Sequence, residues 1–548
     1  MKNIFKIFLA FGLLVFVSAC DSLDLDEQAI NPNSVTPENA EINLVMNNAM
    51  IELGDLIDEA SDETMPYVRM VALTGGARYD NQDGPSSFDF MWDLAYSQIL
   101  PDCNLIIQLA EENGGFTRHS GVAKIIKAYT MLTLVDLFGD VPYSQAFQGT
   151  DELNPAADAG ASVYDAAIGL LDNAISDLGN PTGTITNDIF YGGSDASWIK
   201  AANSLKLKAH LNTGNTAQIN TLIGEDNMIS AEGDDFQFQY GTNRSTPDSR
   251  HPYYADGYEA GGAGWYLSNN YMWLLFGEKF TEDPRLRYYF YRQDCDESDE
   301  NFFTLDCTAL PYPTHFPPGL PWCTASGDFG DPAGAYGGYW GRDHGNDDGI
   351  PPDGLKRTVW GVYPAGGKYD DASCSGMSNG GTDGDGGAGI QPMVLSSYVD
   401  FMRAEAALTL STSDDAAAML ESGVRKSIAK VMGFTSQAGS SAPTMDDVED
   451  YVTEVNNKFN AADADGKLDI VMKEYLIALQ GNGLEGYNGY RRTCKPNNLQ
   501  PLRLDDPSPF ARSFWYPSNY VNRNSNASQK ADVTVPVFWD SNAPGCAN

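Results

Sequence analysis

The chain has 548 residues and is 42% hydrophobic, enough to bury a large core, so disorder is not the expectation. Its formal net charge of -41 repels phosphate backbones and excludes nucleic acid as a partner. With 28 Tyr, 25 Phe and 9 Trp but only 5 His, the composition favours binding through ring surfaces over histidine catalysis or metal chemistry.

At the N-terminus, Lys2 and Lys6 precede the apolar run Ile7 to Val17, which is too short to span a bilayer and has the length of a signal peptide. The run ends in Val17-Ser18-Ala19-Cys20, small residues before a Cys, as at a lipoprotein cleavage site. The expected organisation is a signal peptide over 1–19, an acylated Cys20 as lipid anchor, and an acidic tether over 20–40. An α-helical domain follows over 41–548, with a loop-rich insertion at about 214–391.

Helical periodicity dominates the early part of that domain. Val122, Ile125, Ile126, Tyr129 and Leu132 share one stripe, and Val163, Ala167, Leu170, Leu171, Ala174 and Leu178 another. Ser162 stands where an N-cap belongs, and Gly139 and Gly179 follow the last turns. Trp198, Ala202, Leu205 and Ala209 mark a third helix, and helices are expected again over 392–410, 415–432, 444–459 and 467–480. In between the pattern breaks, with five Pro within 311–321 and 19 Gly within 326–389.

Outside the cytoplasm the remaining cysteines become candidates for bridges. Cys103 lies in the apolar run Ile99 to Ala110 and reads as a buried free thiol. The expected pairs are Cys295 with Cys307, closing a short acidic loop, Cys323 with Cys374, tying down the Gly-rich stretch, and Cys494 with Cys546, anchoring the tail.

The segment Gly121 to Tyr129, continuing through Leu134-Val-Asp-Leu-Phe-Gly-Asp-Val-Pro-Tyr143, resembles the signature of the SusD/RagB nutrient-binding lipoproteins. The likeness continues in order through Val163-Tyr164, Leu171 to Ile175, Trp198 to Lys206, Asp283-Pro-Arg-Leu286, Tyr398 and Met402 to Ala406. It ends with Gly486-Tyr-Asn-Gly-Tyr-Arg-Arg492, Trp515-Tyr-Pro517, Asn522 and Phe538-Trp-Asp540. The resemblance implies a mainly α fold, a single large domain of tetratricopeptide-like helix pairs with long irregular loops. It also implies a surface-exposed outer-membrane protein that takes part in polysaccharide utilisation and is seated over a SusC-like TonB-dependent transporter. Asp136, Gly139, Asp140 and Pro142 are expected to end a helix with a turn, and Trp198, Asn203, Glu405, Arg491 and Arg492 read as helix-packing or buried polar partners rather than ligand contacts.

A glycan site needs ring faces for the CH side of a sugar and polar groups for its hydroxyls. Arg78, Tyr79, Asp80 and Asn81 offer that mixture in the first loop, and Trp265 and Tyr266 behind Gly261, Gly262 and Gly264. Trp322, Tyr336, Tyr339, Trp340, Trp360 and Tyr363 offer it in the Gly-rich middle. Rings in long loops also serve to pack those loops down, which is the competing reading for each of them, and helical spacing favours it for Trp92 and Trp273.

Enzyme-like matches are poorly placed. Gly376-Met-Ser-Asn-Gly380 fits G-x-S-x-G and Gly384 to Gly389 fits G-x-G-x-x-G, but neither follows a strand. Asp463, Asp465 and Gly466 fall at calcium-loop positions, yet Ala461 and Met472 occupy the first and twelfth, which excludes an EF-hand. Asp383 and Asp385, near Asp370 and Asp371, remain the candidates for a structural Ca²⁺, and no other cofactor is expected. The expectation is a non-enzymatic protein that binds a neutral glycan and delivers it to the transporter. The alternatives are a RagB-like peptide binder and an extracellular hydrolase.

Overall fold

The computed structural model describes residues 41–74, 78–259, 266–279, 281–295, 311–322, 338–345, 357–434, 438–504, 508–543 and 545–546. The signal segment, Cys20 and the tether lie outside these residues, as do Trp265, Cys307, Cys323 and Tyr336.

Helix α1, Ile42–Thr64, forms because Ile42, Val45, Met46, Ala49, Met50, Leu53, Leu56, Ile57 and Ala60 recur at three- and four-residue spacing and bury one face. Next come α2 (Leu100–Asn113), α3 (Thr117–Phe138), α4 (Gly160–Gly179), α5 (Asp195–Asn212) and α6 (Thr216–Glu225). In the middle of the chain α7 spans Asn269–Phe276. The C-terminal part adds α8 (Ser396–Thr409), α9 (Ala416–Met432), α10 (Met445–Ala461), α11 (Ala464–Ala478) and α12 (Gly483–Thr493).

Consecutive helices pack on each other, α2 on α3, α3 on α4, α4 on α5 and α8 on α9, while α12 returns to pack on α1. This is the mainly α arrangement of helix pairs, with little sheet. Local signals start many of the helices: the side chains of Ser194, Asn215, Asp415, Asp463 and Asn482 cap α5, α6, α9, α11 and α12, and Thr444 with Asp447 forms a capping box on α10. Ser162, expected to cap α4, lies inside its first turn; the helix begins at Gly160, whose N–H donates to Asp140 Oδ1 at 2.8 Å.

Among the described residues six short strands pair in twos: β1 (Val141–Pro142) with β2 (Ala157–Asp158), β3 (Phe236–Gln239) with β6 (Ile390–Val394), and β4 (Phe290–Tyr291) with β5 (Val359–Trp360), all antiparallel. Residues 392–394, expected to open a helix, belong to β6, because the apolar run there pairs with β3 before α8 starts at Ser396. Two glycines permit close crossings. A Cβ at Gly54 of α1 would stand 2.6 Å from the Phe238 ring of β3, and one at Gly483 would stand 2.4 Å from the Ser61 carbonyl oxygen.

The signature residues form a buried polar hub where α3, α4, α5 and α12 meet. The Asp136 carboxylate is completely buried and accepts from the Tyr164 hydroxyl, from Asn488 Nδ2 at 2.9 Å and from Trp539 Nε1 at 3.0 Å. Lys208 Nζ lies 3.2 Å from Asp136 and 2.6 Å from Glu485; burial opposes its charge, but these carboxylates outweigh burial and raise its pKa. Arg491 reaches the Asp136 carbonyl at 2.7 Å, and Arg492 grips Glu405 with two hydrogen bonds of 2.6 and 2.7 Å. Asn203 donates to the Asn227 carbonyl at 2.9 Å. These polar groups are partners within the core.

Candidate functional site

The loop after α1 turns at Arg69, a buried residue in the left-handed region (φ 62) whose guanidinium donates to the Gln500 and Tyr67 carbonyls. Gln500 draws distant segments together. Its Nε2 donates to the Pro321 carbonyl and to Asp343 Oδ1, both at 3.0 Å, and its Oε1 accepts the His344 N–H at 2.8 Å. The Arg503 N–H donates to the His344 carbonyl at 2.8 Å, the Gly345 N–H to the Leu73 carbonyl at 2.9 Å, and the Asp80 N–H to Ser508 Oγ at 3.2 Å. The first loop, Tyr266, Trp322, residues 339–345, residues 500–504 and Ser508 thereby form one cluster over the helices.

Within it the expected rings separate into two layers. Tyr79, Tyr339 and Trp360 are 2, 2 and 3% exposed, and their assignment as ligand-stacking rings is corrected: they belong to the core. Tyr79 packs on Tyr67 and Phe510, with its hydroxyl 2.9 Å from His344 Nε2. Burial, and secondarily Arg69, hold the His344 pKa well below the usual range, so its ring is neutral. Tyr339 donates to Asp370 at 3.1 Å beneath the Arg292 guanidinium, and Trp360 stacks on Tyr253 with ring centroids 4.5 Å apart. Tyr363 is buried as well.

The upper layer is half-buried and consists, among the described residues, of Tyr266, Trp322 and Trp340. Two guanidinium groups lie against Tyr266, Arg342 at 4.5 Å and Arg357 at 5.1 Å from its centroid, and Arg503 lies 5.7 Å from the centroid of Trp322. Trp340 donates its indole N–H to the Asp294 carbonyl at 3.2 Å, and its backbone N–H to Thr358 Oγ1 at 2.9 Å. The polar edge comes from Arg78, whose Nε lies 3.5 Å from Asp80 Oδ1, and from Asn81, whose Oδ1 accepts the Arg78 N–H at 2.8 Å. Asp80 and Asn81 are exposed.

The bridges differ from expectation in one pair. Cys295 is bonded to Cys374, with Cα atoms 5.7 Å apart, which replaces both the Cys295–Cys307 and the Cys323–Cys374 pairings. Its effect falls on the segment beneath Trp340, because Cys295 follows the Asp294 carbonyl that holds the indole. Cys494 is bonded to Cys546, and Cys103 is a buried free thiol.

The calcium candidates are occupied by local structure. Asp383 Oδ2 accepts from the Ser378 N–H at 2.7 Å and from its hydroxyl at 2.9 Å, and Asp370 is paired with Arg292 at 2.7 Å. Asp385 is half-buried, and its N–H donates to the Gly366 carbonyl at 3.1 Å. Among the described residues no group of three His, Cys, Asp or Glu is arranged to hold a metal ion.

Sequence reasoning missed Gln500, Arg342, Arg357 and Arg503. Their neighbours are remote in the chain, and only a search for Arg in loops flanking the aromatic stretch could have flagged the last three.

The fold is a helical array carrying a loop-built cluster of rings and guanidinium groups. Residues 32–305 match the SusD-like family described as starch-binding and associating with the outer membrane, and the chain belongs to this SusD/RagB family. Solved structures share the fold across 92% of the chain. A chitin-binding protein matches with TM-score 0.64 and 18% identity over 100% of its own length. A SusD/RagB family protein from Bacteroides thetaiotaomicron gives the same values. A chitin-binding SusD homolog from Flavobacterium johnsoniae gives 0.63 and 16% over 99% of its length. No curated protein matches.

Proposed function

We propose that this protein is a non-catalytic, lipid-anchored receptor at the outer-membrane surface that captures a non-anionic glycan and passes it to a SusC-like TonB-dependent transporter. The observation that carries the reading is the half-buried trio Tyr266, Trp322 and Trp340, set among guanidinium groups and the exposed Asp80 and Asn81 in one loop cluster. Rings of this kind supply flat apolar contact at low entropic cost, and the polar edge suits sugar hydroxyls. Membership of a family described as starch-binding, and the chitin-binding relatives of like fold, support carbohydrate as the ligand class. The net charge of -41 disfavours sulfated and uronate-rich chains. Acylation of Cys20 provides the anchor in this reading.

Calorimetry of the full chain against neutral glycans, anionic glycans and peptides tests it. Binding to a neutral glycan without release of shorter products is the expected result. Binding to peptides alone, or turnover of a glycan, overturns it.

A further inference from the structure

Between the C-terminal tail and the ends of three helices lies an open cavity of about 420 Å³, lined by none of the loop-cluster residues described above. That volume is in the range of small-molecule sites, about 300–1,000 Å³. The helices are α5, ending there with Asn212 and Thr213, α8 with Thr409, and α12 with Thr493. The tail closes the other side with Phe538, Trp539, Ser541 and Asn542. It is pinned in place, because Asn542 Nδ2 donates to the Arg492 carbonyl at 2.9 Å and the Cys494–Cys546 bridge joins it to the residue that ends α12.

The wall is built of hydrogen-bond acceptors. Thr213, Thr409 and Thr493 each donate the hydroxyl proton to the carbonyl four residues back, at 2.9, 2.8 and 2.7 Å, which leaves these hydroxyls only acceptor capacity. The carbonyls of Asn212, Thr409 and Thr493, last in their helices, take no hydrogen bond among the described residues. The three helix ends also carry partial negative charge. Formal charge is already neutralised: among the described residues that line the cavity Glu405 is the one acid and Arg492 the one base, and they hold each other through two hydrogen bonds of 2.6 and 2.7 Å. The rest of the wall is apolar, with Leu211, Leu410, the buried Trp539 and Phe538, whose ring is 41% exposed.

We propose that this cavity is a second ligand site, which takes one or two pyranose units of a neutral sugar. A pyranose matches each part of the wall: its hydroxyls donate to the threonine oxygens and the free carbonyls, and its CH face lies on the Phe538 ring. A cationic ligand is disfavoured because Arg492 already holds the carboxylate. An anion is disfavoured because Glu405 holds the guanidinium and the helix ends are negative. The proposal goes beyond the glycan reading of the loop cluster and stands on other residues.

Calorimetry and ligand-observed NMR on the full chain test it, with the neutral disaccharides maltose, cellobiose and N,N′-diacetylchitobiose as probes and spermidine and glucuronate as charged controls. In Trp340→Ala, which weakens the loop cluster, at least one neutral disaccharide is expected to bind still, and the charged probes to bind more weakly. Ser541→Trp fills the cavity from an exposed position of the tail and is expected to weaken that binding about tenfold, while long glycans keep their affinity for the loop cluster. Phe538→Ala removes the exposed ring and is expected to weaken it as well, so that the test survives if Ser541→Trp fails to fold; thermal melting checks both variants. Disaccharide binding that both cavity variants leave intact, tighter binding of a charged probe, or no disaccharide binding at all overturns the cavity site and leaves the loop-cluster reading to its own test with long glycans. Disaccharide binding that follows Ser541 and Phe538, with no binding of long glycans, supports the cavity and overturns the loop-cluster reading alone.

Discussion

The indole N–H of Trp539 donates to Asp136 Oδ1 at 3.0 Å across 403 residues of chain, tying the C-terminal tail to the last turn of α3. The same carboxylate accepts from Asn488 and lies beside Lys208, so Asp136 joins the early and late helices in one buried network. Replacing Asp136 by Ala leaves Lys208 and several donors short of a partner. The expected cost is about 3–5 kcal/mol in denaturant unfolding, with glycan affinity retained by the folded fraction.

The bridges are checked by peptide mapping without reductant. A Cys295–Cys374 peptide and a Cys494–Cys546 peptide are expected, with Cys103 alkylated only after unfolding. The bridged residues lie 79 and 52 positions apart, and losing either bridge is expected to cost roughly 2–5 kcal/mol. Recovery of Cys295 joined to Cys307 contradicts the structure.

Much of the helical scaffold is legible in the sequence, since a three- to four-residue apolar spacing has few other solutions, and Glu405 and Arg492 stand out as polar residues in apolar helices that must find partners; Asp136 reads only as part of a helix-ending turn, because its partners lie on distant helices. Residues 392–394 were not legible as a strand, because a short apolar run carries no period of its own and its partner β3 lies far upstream. The site was half legible. Nothing local distinguishes Tyr79 from Trp340; Phe510 and His344 cover the first, while the second is half-buried with its indole held by the Asp294 carbonyl. Cysteine spacing likewise carried no information on whether Cys374 meets Cys323 or Cys295.

The half-buried acids Glu52, Asp55, Asp58, Glu59, Asp62 and Glu63 on α1 make stability depend on pH. Burial, with neighbouring acids and against the Tyr253 hydroxyl, pushes Asp62 up to about 8, and burial pushes Asp83 up to about 6. The folded protein thus retains protons that the unfolded chain releases above about pH 4, so these groups lower stability as pH rises from there through about 8. Melting temperature is expected to fall between pH 5 and pH 8, and the fall to shrink in Asp58→Asn with Asp62→Asn, which gains at least ~1 kcal/mol at pH 8. An unchanged slope contradicts the assignment.

The two ring layers make opposite demands on mutation. Trp360→Ala removes a core ring stacked on Tyr253 and is expected to cost about 3–5 kcal/mol of stability, while the folded fraction binds glycan as before.

Affinity and melting temperature measured together on Trp340→Ala bear most directly on the central claim, that the half-buried rings bind and the buried rings support them. The expected result is a loss of about 1–3 kcal/mol of glycan binding with little change in melting temperature. A large fall in melting temperature with affinity preserved in the folded fraction would contradict it, and would assign Trp340 to packing alongside Trp360.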